Sequence, residues 1–313
     1  LAVRVKRLPP SSGIATLTGV LVIDLWAAWS GMQPTSNRKN VFPNVPVFQS
    51  MQEKGHPNRI NFDAIAIDGL PIPYGLEELQ GYDAMVPKRF WTTLRGELSL
   101  SGRIALDRAS ATPCYFYPAP REGGPVVPEG FEIEDVRDGV VVATNTNALP
   151  RARLVGATEK YDSLESMLKR INKPGFDPEN LALVEGPHAP QLSTTLPAPP
   201  GDARIKQWTW NRVIVETNAI EGAVLVLAEA YYPGWEARID GMQPAEIFPV
   251  YHVFRGVSVP AGQHMIEFRY RPLSFRIGAT LSVITLSALL VCAIFLLGRT
   301  TRRPESIECA HAV

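Results

Sequence analysis

Residues 277–297 hold no charged side chain, and a helix of that length crosses the roughly 30 Å hydrocarbon core of a bilayer. Helices packed in soluble cores keep a polar face over such a length, so this run predicts a transmembrane helix. Arg269, Arg271 and Arg276 precede it and Arg299, Arg302 and Arg303 follow it, so charge bias leaves its orientation open. Residues 13–29 are apolar apart from Thr16, Thr18 and Asp24 and predict a second span. Arg4, Lys6 and Arg7 lie before that segment, and the next basic residues after it are Arg38 and Lys39. This bias favours a cytoplasmic N-terminus, with Trp26 and Trp29 at the far interface. A signal peptide also joins a basic region to an apolar one, but Asp24 interrupts the core here and no A-x-A pattern follows. With both helices spanning, the termini share one side and residues 30–275 lie across from them. Asp24 has two readings, a capping or snorkelling carboxylate near the interface or a group facing a polar cavity between helices.

Between the spans the periodicity changes twice. Residues 30–45 are polar with prolines and read as a loop, and residues 45–53 and 88–94 suit short helices. Pro71, Pro73 and Gly75 break the chain before a turn of helix at 76–79. Residues 118–130 are rich in Pro and Gly and predict a long loop. Strands are expected at 131–133 and 139–143, joined by an Arg137-Asp138-Gly139 turn. Leu164, Met167, Leu168 and Ile171 follow helical spacing, Asp162 with Glu165 resembles a capping box, and Pro174-Gly175 stops the helix. Residues 187–201 contain five prolines and suit a linker.

Beyond Arg204 the pattern becomes that of antiparallel sheet. Residues 213–215 and 223–228 are β-prone. Trp235, Ala237 and Ile239 alternate with Glu236, Arg238 and Asp240, and Ile266, Phe268 and Tyr270 alternate with Glu267, Arg269 and Arg271, as half-buried strands do. Asp240-Gly241 marks a hairpin, and Pro260-Ala261-Gly262 marks a turn after 257–259. The expected fold is α+β: a mainly antiparallel extracytoplasmic domain, β-sandwich-like in its C-terminal half, with two transmembrane helices. Its divisions are a cytoplasmic stub (1–12), a transmembrane helix (13–29), a mixed α/β region (30–200), a sandwich-like region (201–275), a second transmembrane helix (276–298) and a cytoplasmic tail (299–313).

Composition removes several function classes. Thirty-one basic residues balance 31 acidic ones over 313 residues, so no basic excess points to nucleic acid. The three cysteines and five histidines show no zinc-ligand spacing, and no metal or cofactor is expected. No phosphate-binding loop, nucleophile elbow or HExxH occurs, and no pair of acids stands out as a glycosidase couple. Tyr231-Tyr232-Pro233-Gly234-Trp235 fits a type II turn. Its aromatics either staple that turn to the sheet or, with Tyr231, Tyr232 and Trp235 as platform, stack on a sugar or lipid headgroup. Arg269, Arg271 and Arg276 either snorkel at the interface or contact a lipid phosphate or diphosphate.

Several blocks resemble the C-terminal part of the bacterial YfhO-type membrane protein family. The resemblance rests on Glu229-Ala230-Tyr231-Tyr232-Pro233-Gly234-Trp235-Glu236-Ala237, Asp240-Gly241, Val253-Phe254-Arg255, Pro260-Ala261-Gly262-Gln263-His264 and Phe268-Arg269-Tyr270-Arg271-Pro272. Gly81-Tyr82-Asp83 and Ala148-Leu149-Pro150-Arg151-Ala152 echo it. That family resembles C-type superfold glycosyltransferases, polytopic enzymes of the bacterial cell membrane that use lipid-linked sugars outside the cytoplasm. Their catalytic acids lie in the first extracytoplasmic loop. The resemblance therefore implies a fragment without catalytic residues of its own, carrying residues 30–275 on the outer side. Its partners would be the lipid bilayer, a polyprenyl-phosphate sugar and an envelope glycopolymer. The alternative is an anchored, non-catalytic module that binds glycan or a partner protein.

Overall fold

A computed structural model of the chain describes residues 10–32, 48, 59–62, 72–79, 87–94, 96–120, 123–137, 139–187, 190–192 and 200–301. The chain forms two compact units, residues 1–55 and 56–313. In the first, α1 (Pro10–Met32) is a helix, as the apolar run predicts. Its described side chains, Asp24 included, are exposed. The helix expected at 45–53 lies outside the described residues apart from Phe48.

Among the described residues, the second unit carries three sheets. The first is mixed, with order β2-β1-β3-β5-β4, from β1 (Arg59–Phe62), β2 (Glu77–Glu78), β3 (Cys114–Pro118), β4 (Phe131–Arg137) and β5 (Val140–Asn145). The turn of helix expected at 76–79 is instead β2, which pairs parallel with β1. The i, i+3 spacing of the buried Leu76 and Leu79 also suits a helical turn, but pairing with β1 decides for the strand: Glu77 and Glu78 lie opposite Arg59 and Ile60, and Leu79 N donates to Ile60 O at 2.8 Å. The expected β4–β5 hairpin forms. The predicted helix at 88–94 is α2 (Lys88–Leu94).

The second sheet has order β6-β11-β15-β14-β8-β7. Its members are β6 (Ala152–Val155), β7 (Ala157–Lys160), β8 (Leu181–Val184), β11 (Ala223–Ala230), β14 (Phe248–Val250) and β15 (Phe254–Val259). The third is wholly antiparallel, β13-β12-β16-β10-β9. It comprises β9 (Gly201–Thr209), β10 (Arg212–Ala219), β12 (Trp235–Ile239), β13 (Gln243–Ala245) and β16 (Gly262–Tyr270). Strands from both sides of the proline-rich stretch 187–201 share the second sheet, so β6, β7 and β8 join the strands of 201–270 in one body.

Strand β11 shows why. Residues 223–228 are buried without interruption. Ala223, Leu225 and Leu227 pack toward the third sheet with Val257, Ile266 and Phe268. Val224, Val226 and Ala228 pack on the opposite face with Met167, Ile171 and Leu106. A strand covered on both faces reads as a continuous apolar run. The covering helices are α3 (Leu100–Ala109) and α4 (Leu164–Ile171). Helix α4 also links the parallel pair β7 and β8. Its cap lies one residue later than expected: Ser163 and Ser166 form the capping box, not Asp162 and Glu165. A serine hydroxyl is short enough to bond the backbone within its own turn.

The chain crosses repeatedly between the second and third sheets, whereas the predicted Asp240-Gly241 turn joins two strands of the third. Asp240 and Gly241 both adopt positive φ, 52° and 72°, and Met242 N donates to Ile239 O at 3.2 Å, closing the β12–β13 hairpin as a type I′ turn requires. Pro260-Ala261-Gly262 leads from β15 in one sheet to β16 in the other. Strand β16 runs through Arg271-Pro272 into α5 (Leu273–Thr301). Residues Leu273–Phe295 are long and apolar enough to cross a membrane and are unburied. Among the described residues this is the one segment that meets that test; the apolar stretch of α1, Ala15–Ser30, is shorter.

The core between the sheets generates the first prediction. Phe268 is fully buried, so Phe268→Ala should cost about 3–5 kcal/mol. Trp210, 95% exposed, should change stability by no more than about 0.5 kcal/mol on conversion to Ala. Urea titration of the full chain in detergent micelles checks both, and equal losses would refute this core assignment.

Candidate functional site

Charged side chains of the first and second sheets converge where β11 ends, against tryptophans of the third. The pairing of β11 with β15 is regular through Leu227↔Arg255 and resumes at Ala230↔Phe254. Ala228 and Glu229 are therefore extra residues in β11, a bulge of the kind that re-aims side chains. Glu229 turns inward and meets two guanidiniums. Arg59 of β1 donates to it through Nη2, and Arg151, just before β6, donates through Nε at 2.6 Å. Arg59 Nη1 also donates to the carbonyls of Ser110 and Ala228, each at 2.7 Å. Arg151 reaches Glu77 of β2 at 2.6 Å. Burial by itself would raise the Glu229 carboxyl, but Arg59, Arg151 and Arg255 outweigh it and hold its pKa below the ordinary value.

These groups line a cleft of about 730 Å³. Two of its guanidiniums lie on indole faces: Arg151 is 3.8 Å from the Trp208 ring centre, and Arg255 is 3.8 Å from that of Trp235. Such stacking holds guanidinium planes in place. Trp210 and Glu78 also line the cleft.

The register places this cleft at the end of the third sheet that leads into α5. Trp235 pairs with Tyr270, and Val213 pairs with both Phe268 and Trp208, so all lie within a few residues of the start of α5. The Tyr231–Trp235 turn clamps the same junction. Gly234 has φ 102°, as a type II turn requires after Pro233. A side chain there would meet Pro272 and Tyr270 at 3.0–3.1 Å. Arg271 N donates to Gly234 O at 2.6 Å, and the rings of Trp235 and Tyr270 lie 5.3 Å apart.

The structure distributes the residues singled out from the sequence. Tyr231, Tyr232 and Trp235 line a second cleft of about 430 Å³, and Trp235 forms part of both. Tyr232 is exposed, while Tyr231 faces Arg89 at 5.4 Å. Arg269 donates to Glu267 at 2.7 Å, and Glu267 also accepts from Arg212. Arg271 and Arg276 are exposed at the start of α5. None of these three arginines lines the larger cleft. Among the described residues no group of three or more His, Cys, Asp or Glu side chains could hold a metal ion.

Arg59, Arg151, Arg255 and Glu229 are the residues that reading for chemistry missed. Arg151, Glu229 and Arg255 do lie in the blocks that carry the family resemblance; nothing local marks Arg59. Gly81-Tyr82-Asp83 lies outside the described residues.

A second polar cluster escaped the sequence as well. Arg89 donates to both oxygens of Glu185 at 2.7 and 3.0 Å. Tyr161 donates to the same carboxylate at 3.0 Å, and His252 Nδ1 lies 3.2 Å from it. Tyr251 and His252 adopt left-handed backbone, φ 49° and 68°, an unfavourable conformation for non-glycine residues. The buried Tyr251 hydroxyl anchors that turn by donating to Leu181 O at 2.7 Å.

Residues 201–282 match the family described as bacterial membrane protein YfhO. The matched stretch includes the third sheet, the bulged strand β11 with its partner β15, and the start of α5. The protein named uncharacterized protein YfhO of Bacillus subtilis (strain 168) is 23% identical over 179 residues, 57% of this chain and 20% of that protein. The chain thus spans about a fifth of that relative's length. No solved structure matches the chain.

The Glu185 cluster predicts acid sensitivity. Hydrogen bonds from Arg89, above all, hold the Glu185 carboxyl down to about 2. Burial, then Arg89, pushes His252 below its ordinary value of 6.5. Both groups resist protonation more in the folded chain than in the unfolded one. Their stabilisation is full above about pH 6.5, then falls as the unfolded groups take up protons. The melting temperature should therefore drop between about pH 6 and pH 3 and drop less in Glu185→Gln. Parallel pH profiles of the two proteins would contradict this assignment.

Proposed function

We propose that this YfhO-type chain is the extracytoplasmic and membrane portion of a glycosyltransferase-like envelope protein that uses lipid-linked sugars. On this reading both α1 and α5 cross the membrane, and the body between them lies on the outer side. The observation that carries it is continuity: the stretch matched to the bacterial membrane protein family holds the cleft wall and the start of the apolar helix together. The cleft therefore sits close to where a lipid-linked substrate would present its head. Trp210 at the β9–β10 turn, beside the hydrogen bond from Tyr270 N to Asn211 O, suits the lipid–water boundary favoured by tryptophan.

The chain binds or positions substrate on this reading, and the transferring acids belong elsewhere. Sugar transfer needs a base that can accept the acceptor's proton. Glu229 is a poor candidate, because two guanidiniums occupy it and hold its pKa down. Glu77 is engaged by Arg151. The tryptophan faces in the two clefts offer the apolar surface on which sugar rings stack.

Two measurements test this. In a background lacking native cysteines, Gly124→Cys should react with an impermeant thiol reagent in intact cells. Glu305→Cys should react only after permeabilisation; labelling of both in intact cells would sink the topology. The purified chain, reconstituted in lipid with radiolabelled polyprenyl-phosphate sugar and envelope polymer, should incorporate no label. Turnover by the chain alone would overturn the non-catalytic assignment.

A further inference from the structure

Arg255 differs from the other arginines of the larger cleft. Its side chain lines that cleft, yet the residue is only 3% exposed. Arg59 and Arg151 are tied to Glu229, and Arg151 also to Glu77. Glu229 acts on Arg255 through space, but among the described residues the buried Nε and Nη1 of Arg255 have no hydrogen-bond acceptor. Burial pushes the guanidinium down to about 10, which leaves it a cation at neutral pH. Trp235 covers one flat face at 3.8 Å, and the Phe268 ring centre lies 5.8 Å away. Guanidinium N–H groups point outward in the plane of the group, so its hydrogen bonds are made at its edge. Buried charges are ordinarily paired, and a guanidinium edge matches an oxyanion that can accept two parallel N–H bonds.

We propose that the cleft is a phosphate receptor in which Arg255 donates from its edge to the phosphate oxygens, with Trp208 and Trp235 walling the group bound to that phosphate. The cleft stands at the membrane end of the third sheet, where phosphate is the abundant oxyanion of lipid headgroups. Glu229 has a second role here. By occupying Arg59 and Arg151 it keeps the field in the cleft low, so that Arg255 alone captures the ligand and releases it again. The inference rests on the proposed handling of lipid-linked sugars only for the source of the phosphate; the receptor itself follows from Arg255.

The probe is inorganic phosphate, titrated into the full chain in detergent micelles and followed by phosphorus NMR line broadening and by tryptophan fluorescence. Saturable binding is expected, with acetate binding at least about tenfold more weakly. Arg255→Gln should weaken phosphate binding by about tenfold or more. Glu229→Gln should strengthen it by a similar factor, because a nearby negative charge is removed. A rise in affinity cannot come from misfolding, so Glu229→Gln keeps the test decisive if Arg255→Gln fails to fold. No saturable binding by either the parent or Glu229→Gln would overturn the receptor, as would equal binding of acetate. In nanodiscs, phosphatidic acid should compete with inorganic phosphate where phosphatidylcholine alone does not. Absence of that competition would overturn a lipid headgroup as the source. Phosphate binding that persists alongside a failed topology test would sink the proposed function and leave the receptor standing.

Discussion

One carboxylate holds the second unit's three sheets in register. Glu229 stands on a bulge of the second sheet, accepts from Arg59 of the first, and shares Arg151 with Glu77 of β2. Arg151 in turn lies over Trp208 of the third sheet. Buried ion pairs often contribute little net stability, because desolvation offsets their attraction. Their geometric demand is strict, however, since a misplaced partner leaves an uncompensated charge. The β11 bulge, the parallel pairing of β1 and β2, and the approach of β9 all deliver a side chain to this point. The cluster therefore selects one arrangement of the layers, while apolar packing on both faces of β11 supplies most of the driving force.

The same region is coupled to the apolar helix α5 by short, stiff connections. Only Arg271 and Pro272 separate β16 from α5. Gly234 accepts from Arg271 N and leaves no room for a side chain beside Pro272. Trp235 then begins β12, pairs with Tyr270 and lies against Arg255. A displacement of the helix end would reach the cleft wall through backbone pairing, without a flexible loop to absorb it. The cleft is thus held at a fixed distance from the point where the helix begins.

Family resemblance and structure meet at particular residues. The blocks beginning at Glu229, ending at Arg255 and containing Arg151 are far apart in sequence, and their charged members surround one cleft. Arg255 had a signal in the sequence, because it is the one charged residue of the Phe254–Val259 strand. Glu229 terminates the apolar run of β11 in the same way. Arg59 carried no such signal. Its importance arises from partners 51, 169 and 170 residues away.

The sequence by itself determined the elements whose physics is local. An uncharged run specifies the α5 helix, alternation specifies β12 and β16, and Asp240-Gly241 specifies its turn through tolerance of positive φ. Tertiary structure decided what depends on pairing between distant segments. It placed β6, β7 and β8 in a sheet with strands of residues 223–259, moved the α4 cap to Ser163, and made a strand of Glu77 and Glu78. It also decided which arginines share a cleft. Arg269, Arg271 and Arg276 are neighbours in sequence, but alternation along β16 and entry into α5 keep them out of it. Arg59, Arg151 and Arg255 meet because three separate strands end beside one bulge, and strand register across sheets is fixed only once both faces of β11 are buried.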